Sequence, residues 1–229
     1  MAQTAYRLEI DPSLGPCPVL PALVWAEGIQ PPRPTQAPPP FLVEILAEVA
    51  AHGEGVISDE RRRRVRGMLR HGKYQPSGRG RPASEFLLRA ALAGTFPLVN
   101  GPVDVNNAVS LASGLPGSIF DAEKTGPRLR LRRGASEESY VFNPSGQTIA
   151  LRDLLVVCRL VDGQWSPCGN PVKDAMATKV NEAARSIVAV LYAPAGEPLE
   201  AVAGWAARYA ALLSSHCGAR AVGSEVIHV

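Results

Sequence analysis

The sequence predicts an α+β domain, and three observations carry that reading. Helical periodicity dominates from Phe41 to about Gly114. β-rich runs dominate from there to Tyr192, and one long amphipathic helix follows, so helices and strands are segregated rather than strictly alternating. A chain of 229 residues, 46% hydrophobic and with mean hydropathy near zero, can bury a core without covalent staples.

Ten of the 21 prolines fall in the first 40 residues, which opposes a helix there. Residues 1–40 therefore read as an irregular Pro-rich arm wrapped on the domain, with one strand in Val19–Trp25; residues 41–229 read as a single domain. Phe41–Ala51 is a helix with Leu42, Ile45, Leu46 and Val49 on one face. Ser58 can cap the next, with Asp59 and Glu60 in its first turn and Val65, Met68 and Leu69 as its buried stripe. A third starts near Pro82 or Ser84 and runs to Gly94, with Glu85 and Arg89 one turn apart on its exposed side.

Strand candidates follow at Leu129–Arg132, Ser139–Phe142, Leu154–Leu160 and Ser186–Tyr192, with Asn143–Gly146 as a turn. Pro198–Cys217 repeats Leu199, Val202, Trp205, Ala206, Tyr209, Leu212 and Leu213 at helical spacing, and Gly218 follows its last turn. Ala219–Val229 can close with a strand.

Several function classes are disfavoured. No run of 18 apolar residues suggests a membrane span, and the N-terminus lacks the apolar block of a signal peptide. The four cysteines form no C-x-x-C pair, so free thiols in a cytoplasmic protein are the expectation. His52, His71, His216 and His228 lack metal-ligand spacing, and neither a Walker loop nor a dinucleotide fingerprint occurs, so no metal or cofactor is expected.

The net charge of +3 hides a strong local bias. Residues 61–81 carry Arg61, Arg62, Arg63, Arg64, Arg66, Arg70, Lys73, Arg79 and Arg81 and no acid, nine of the 24 Lys and Arg. Arg128, Arg130, Arg132 and Arg133 form a second group. A solvated helix face with a loop would have this composition, and so would a surface that follows a phosphate chain. Tyr74 could stack on an unpaired base.

The segment from Ser84 to Asp121 carries the most specific pattern. Asp104 precedes a helical run and can cap it, which places Asn106 and Asn107 in a first turn whose free N–H groups favour a carboxyl or carbonyl oxygen. Their amides offer both donor and acceptor. Gly114, Pro116 and Gly117 read as a tight turn that aims Ser118. Helix capping and chain reversal alone would also account for these residues.

Taken together, the helix at Ser84–Arg89, the run Val103-Asp104-Val105-Asn106-Asn107 and the run Gly114-Leu115-Pro116-Gly117-Ser118-Ile119-Phe120-Asp121 resemble the editing, or tRNA-binding, module of the phenylalanyl-tRNA synthetase β subunit. That module has a "VD-hydrophobic-T/N-N" segment opening a helix and a "G-x-P-x-H-x-F-D" turn. The resemblance is ordered over roughly 40 residues and weakens toward residue 215. It implies a β-sandwich-like core flanked by helices, and a free-standing homologue of the module that hydrolyses misacylated tRNA in trans. It implies the aminoacylated 3′ end of a tRNA as partner, with no DNA or membrane partner, and the 61–81 arginines holding RNA.

Carried over by residue, Asn106 stands where the family has Thr, Asn107 matches its Asn, and Ser118 stands where it has His. Gly169 lies where a Gly-rich segment is expected, and Tyr192 lies near the family's tyrosine-recognising Glu. Asn107, Asn106 and Ser118 are thus the catalytic candidates, with Asp104, Gly114, Pro116 and Gly117 holding substrate. Glu138, Asp174, Thr178 and Lys179 are further polar candidates. An aminoacyl ester is already activated, so positioned water and oxyanion donors could suffice without the His. The alternatives are a non-catalytic tRNA-binding module, or an amino-acid-binding protein without RNA.

Overall fold

The computed structural model describes residues 6–227; His228 and the end of the expected final strand lie outside them. The fold is α+β. Two four-stranded sheets and their flanking helices share one hydrophobic core.

The first sheet has the order β1 (Arg7–Ile10), β4 (Arg128–Arg133), β7 (Leu155–Val161), β8 (Gln164–Gly169), with β1 parallel to β4 and the others antiparallel. The second is antiparallel, in the order β10 (Ala221–Val226), β2 (Val19–Glu27), β9 (Ser186–Pro194), β3 (Gly117–Asp121). β5 (Ser139–Val141) and β6 (Thr148–Ala150) form a separate hairpin. The continuous apolar run Ile187–Ala193 makes β9 a central strand buried on both faces, as such runs do.

The Pro-rich segment is more structured than its composition suggests. It supplies β1 to one sheet and β2 to the interior of the other, so it is built into the core rather than laid on it. Its prolines cluster outside the paired residues, apart from Pro21 in β2 and Pro34, which bridges Asn100.

The helices are α1 (Pro40–His52), α2 (Asp59–Leu69), α3 (Ala83–Leu92), α4 (Gly101–Ser113), the single turn α5 (Ala122–Thr125) and α6 (Leu199–Cys217). Ser58 caps α2 by accepting the Arg61 N–H at 3.2 Å, with Asp59 and Glu60 in the first turn as expected. α6 turns Val202, Ala206, Tyr209 and Leu213 onto the β10–β2 side of the second sheet and packs against α4. Gly114 closes α4 in the left-handed conformation, with φ 71°, which a Cβ would disfavour.

Among the described residues, no helix is long and apolar enough to cross a membrane. All four cysteines are unbridged.

Candidate functional site

A cleft of about 250 Å³ opens between α3, α4, β3 and the segment after β8. Phe86, Leu87, Val103, Ile119, Val172 and Val180 supply its apolar wall. Asn106, Asn107, Asn170, Lys173, Asp174 and Lys179 supply its polar groups. Its volume lies below the roughly 300–1,000 Å³ of pockets for drug-sized ligands, so a group of amino-acid size suits it.

Helix α4 positions the two asparagines, by a route the sequence did not disclose. The helix begins at Gly101, and its cap is Asn100 rather than Asp104: Asn100 Oδ1 accepts the Val103 N–H at 3.2 Å. Pro102 fits the start because its missing N–H would be unpaired there anyway. Asn106 and Asn107 therefore lie in the second turn, beyond the free N–H groups of the helix end.

Asp104 is fully buried and already satisfied. Its carboxylate accepts the Val99 N–H at 2.8 Å and the Thr35 hydroxyl, tying the Pro-rich segment to α4, and burial pushes its pKa up. Asn106 is also buried and satisfied. Its Oδ1 accepts from the Tyr209 hydroxyl at 3.0 Å, and its Nδ2 donates to Gly117 O at 3.4 Å and to Asn107 Oδ1 at 3.3 Å. That last bond orients Asn107, which is half-buried and whose own Nδ2 has no partner among the described residues. Asn107 thus presents a positioned, unused donor pair to the cleft.

The expected turn at Gly114–Ser118 becomes strand from Gly117 onward. Residues on a strand alternate sides, so Gly117 and Ile119 line the cleft while Ser118 faces away. Ser118 is fully buried, with its hydroxyl 3.2 Å from Asn170 O and 2.9 Å from Tyr192 Oη. Tyr192 is likewise buried in the core. Pro116 accepts the Tyr192 N–H through its carbonyl.

The segment 170–174 is shaped by Asn170. Its Oδ1 accepts the Val172 and Lys173 N–H groups at 2.8 and 2.9 Å, and its amide donates to Tyr140 Oη. Asp174 follows. Part of the residue is open to the cleft, while its Oδ2 accepts the Ile119 N–H at 3.0 Å and its Oδ1 is buried, with no hydrogen-bond partner among the described residues. Burial pushes the Asp174 carboxyl up to about 7, against the pull of the neighbouring Ser118 hydroxyl first, then of the Ile119 and Asn170 backbone and Lys179. Burial lowers Lys179, partly offset by Asp174; burial and then Arg79 lower Lys173. Gly169 permits this crowding, since a Cβ there would overlap both the Phe120 ring and the Asp174 carboxyl.

Three other sequence candidates lie away from the cleft. Gly114 closes the far end of α4 against Ile57 and Arg61. Glu138 is held by Arg132 at 2.6 and 2.8 Å and by the Ala135 N–H, so its charge is spent in a local brace. Thr178 is buried and donates to Cys168 O at 3.2 Å.

The basic stretch divides in two. Arg61 and Arg64 lie 3.0 and 2.7 Å from the carboxylate of Glu197, which is 7% exposed and stands before α6. Arg62 pairs with Asp59 and Glu54. Arg66 grips Glu85 in a fork, its Nε 2.6 Å from Oε1. Glu85 is thus buried rather than exposed, and the face of α3 turned to solvent carries Phe86 and Arg89. Among the described residues, the Arg70 side chain bonds only to Gln75. Arg63, Lys73, Arg79 and Arg81 have no side-chain ion-pair or hydrogen-bond partner among the described residues, and Arg89 shares that state. The 128–133 arginines are largely committed: Arg128 and Arg130 to Glu9, Arg132 to Glu138, and Arg133 to backbone carbonyls.

Arg62, Arg63, Arg66, Arg81 and Arg89 line an open groove of about 670 Å³ between α2 and α3, together with Glu54, Asp59, Glu85 and Leu88. α3 is the wall shared by groove and cleft. Tyr74 does not serve it as a free ring. It is half-buried against the core, and its hydroxyl donates to Gly80 O.

No curated protein matches the chain. The crystal structure of an N-terminal fragment of the phenylalanyl-tRNA synthetase β subunit from Pyrococcus horikoshii has the same fold, with a TM-score of 0.51 at 9% identity. The match covers 100% of this chain, which spans 57% of that fragment. Residues 78–200, holding the cleft, α3, α4, three strands of the first sheet and two of the second, match the family described as B3/4 domain, and the chain belongs to that family.

Proposed function

We propose that this chain binds the aminoacylated 3′ end of a tRNA and hydrolyses a wrongly attached amino acid in trans. The observation that carries the reading is the cleft beside α3. It joins an amino-acid-sized space, an Asn107 Nδ2 and arginines in the adjoining groove that have no partner among the described residues, and the Asp174 carboxyl. The likeness in fold to a phenylalanyl-tRNA synthetase β-subunit fragment supports the same reading.

In this mechanism the Asn107 Nδ2–H donates to the ester carbonyl oxygen and stabilises the oxyanion as it forms. The Asp174 carboxylate takes a proton from the attacking water through Oδ2, since Oδ1 is buried. The water oxygen bonds to the carbonyl carbon, the carbon–ribose-oxygen bond breaks, and the departing ribose oxygen takes up the proton. Lys173 and Lys179 place positive charge beside the developing anion. Because Asp174 must be ionised to act as base, the rate rises with pH through about 7.

A panel of mischarged tRNAs incubated with the protein tests this. At least one should lose its amino acid, and Asn107→Ala should slow that reaction about a hundredfold, the usual cost of one oxyanion donor. A panel left wholly intact contradicts hydrolysis. Steeply salt-dependent tRNA binding without turnover would instead establish the non-catalytic module, a reading favoured by the burial of Ser118 where the resembled family has His.

A further inference from the structure

We propose that Phe86 is a stacking platform for the unpaired terminal base of a single-stranded RNA 3′ end, seated where the arginine groove meets the cleft. This inference rests on the reading of the cleft as an aminoacyl-end site and adds to it the residue that would position the nucleotide.

Phe86 is 63% exposed, the most exposed large hydrophobic side chain among the described residues. An isolated surface aromatic would need no explanation. Phe86 is not isolated: Val99, 45% exposed, lines the same cleft, so the mouth is rimmed by apolar surface. α3 places the two kinds of surface side by side. Ala83, Phe86 and Leu87 turn toward the cleft, and Arg81, Leu88 and Arg89 turn toward the groove.

Charge selects the occupant. The groove offers Arg63, Arg81 and Arg89, which have no acidic partner among the described residues, and this suits a phosphate backbone and not an acid-poor peptide or an acyl chain. A strand whose phosphates lie in the groove must cross the ridge of α3 before its end enters the cleft, and that ridge exposes the Phe86 ring with Arg89 beside it. Aromatic rings with neighbouring cations are the usual means of holding an unpaired base without reading its sequence. Tyr74, the aromatic inside the basic stretch, has its hydroxyl bonded to Gly80 O and is half-buried, so it offers no comparable face.

The test is equilibrium binding of the full chain to a short single-stranded RNA ending in CCA, and to the same RNA with its last base removed, followed by fluorescence anisotropy. The wild-type protein should bind the base-bearing RNA about tenfold more tightly than the abasic one, and Phe86→Ala should erase the difference by weakening only the former. Phe86→Trp should keep the preference, and its indole emission should be quenched by the base-bearing RNA alone. A tenfold preference retained in Phe86→Ala overturns the inference. Equal wild-type affinity for both RNAs also overturns it while leaving the deacylation reading to its own assay. Absence of binding to either RNA overturns the inference, and the mischarged-tRNA panel decides the deacylation reading separately.

Discussion

Replacing Arg61 and Arg64 together by Ala is expected to destabilise the fold by about 3–5 kcal/mol, the cost of leaving a buried charge without its partners. Glu197 is 7% exposed, and the two arginines are the cations within ion-pair distance of its carboxylate. They tie α2 to the start of α6, whose apolar face covers the second sheet. The reverse change is milder. Glu197→Gln leaves two arginines that already reach solvent, at 25% and 35% exposure, and should cost only about 1–2 kcal/mol. Urea unfolding of the three proteins measures both figures, and a double variant no weaker than Glu197→Gln contradicts the argument. A practical consequence follows for RNA binding: arginines that hold the fold cannot also report on an RNA face. Arg63, Arg79 and Arg81 can be changed with little structural cost, since none has an internal ion partner among the described residues.

Asp174→Asn is expected to stabilise the protein at alkaline pH while removing activity. The folded-state pKa of Asp174 is raised to about 7 from an ordinary value of 3.8, chiefly by burial. A raised carboxyl favours folding fully below its unfolded pKa, and this contribution is lost as pH rises through the folded value. The wild-type protein should therefore lose roughly 4 kcal/mol between about pH 4 and pH 8 from this group alone. An amide in its place can still accept the Ile119 N–H and carries no charge to desolvate, so the variant should lack that slope. Unfolding free energies of both proteins across this range provide the check; identical slopes would contradict the assignment. A buried acid that costs stability when ionised is the pattern expected where chemistry, not folding, places a group.

The long elements were legible because their periodicity is strong. The α6 stripe, the Ser58 cap and the β9 run are set by local sequence and agree with the structure within a residue or two. The misses have physical causes. β3 was hidden because Gly114, Pro116 and Gly117 read as turn chemistry, whereas β9 recruits the chain from Gly117 onward by pairing. Asp104 looked like a cap, but Asn100 supplies that bond and Asp104 is drawn inward by Thr35, 69 residues away. The basic stretch lacks acids in sequence, yet Glu85 and Glu197 reach it through the fold.

The cleft itself was partly legible. Asn106, Asn107, Gly117, Asp174 and Lys179 come together there from separate segments. Ser118 lies one residue from the cleft and on the wrong side of its strand, a distinction that depends on where the strand begins. Phe86 was not legible: it stands in the apolar run Phe86-Leu87-Leu88, of which only Leu87 and Leu88 turn inward, and Glu85, expected outside, is drawn in by Arg66.

The most direct measurement is a crystal structure with a non-hydrolysable amide analogue of aminoacyl-adenosine. Its carbonyl oxygen is expected within hydrogen-bond distance of Asn107 Nδ2, its side chain against Val103 and Val180, and its adenine on Phe86. An analogue bound elsewhere on the protein, with the cleft empty, would contradict the proposed site.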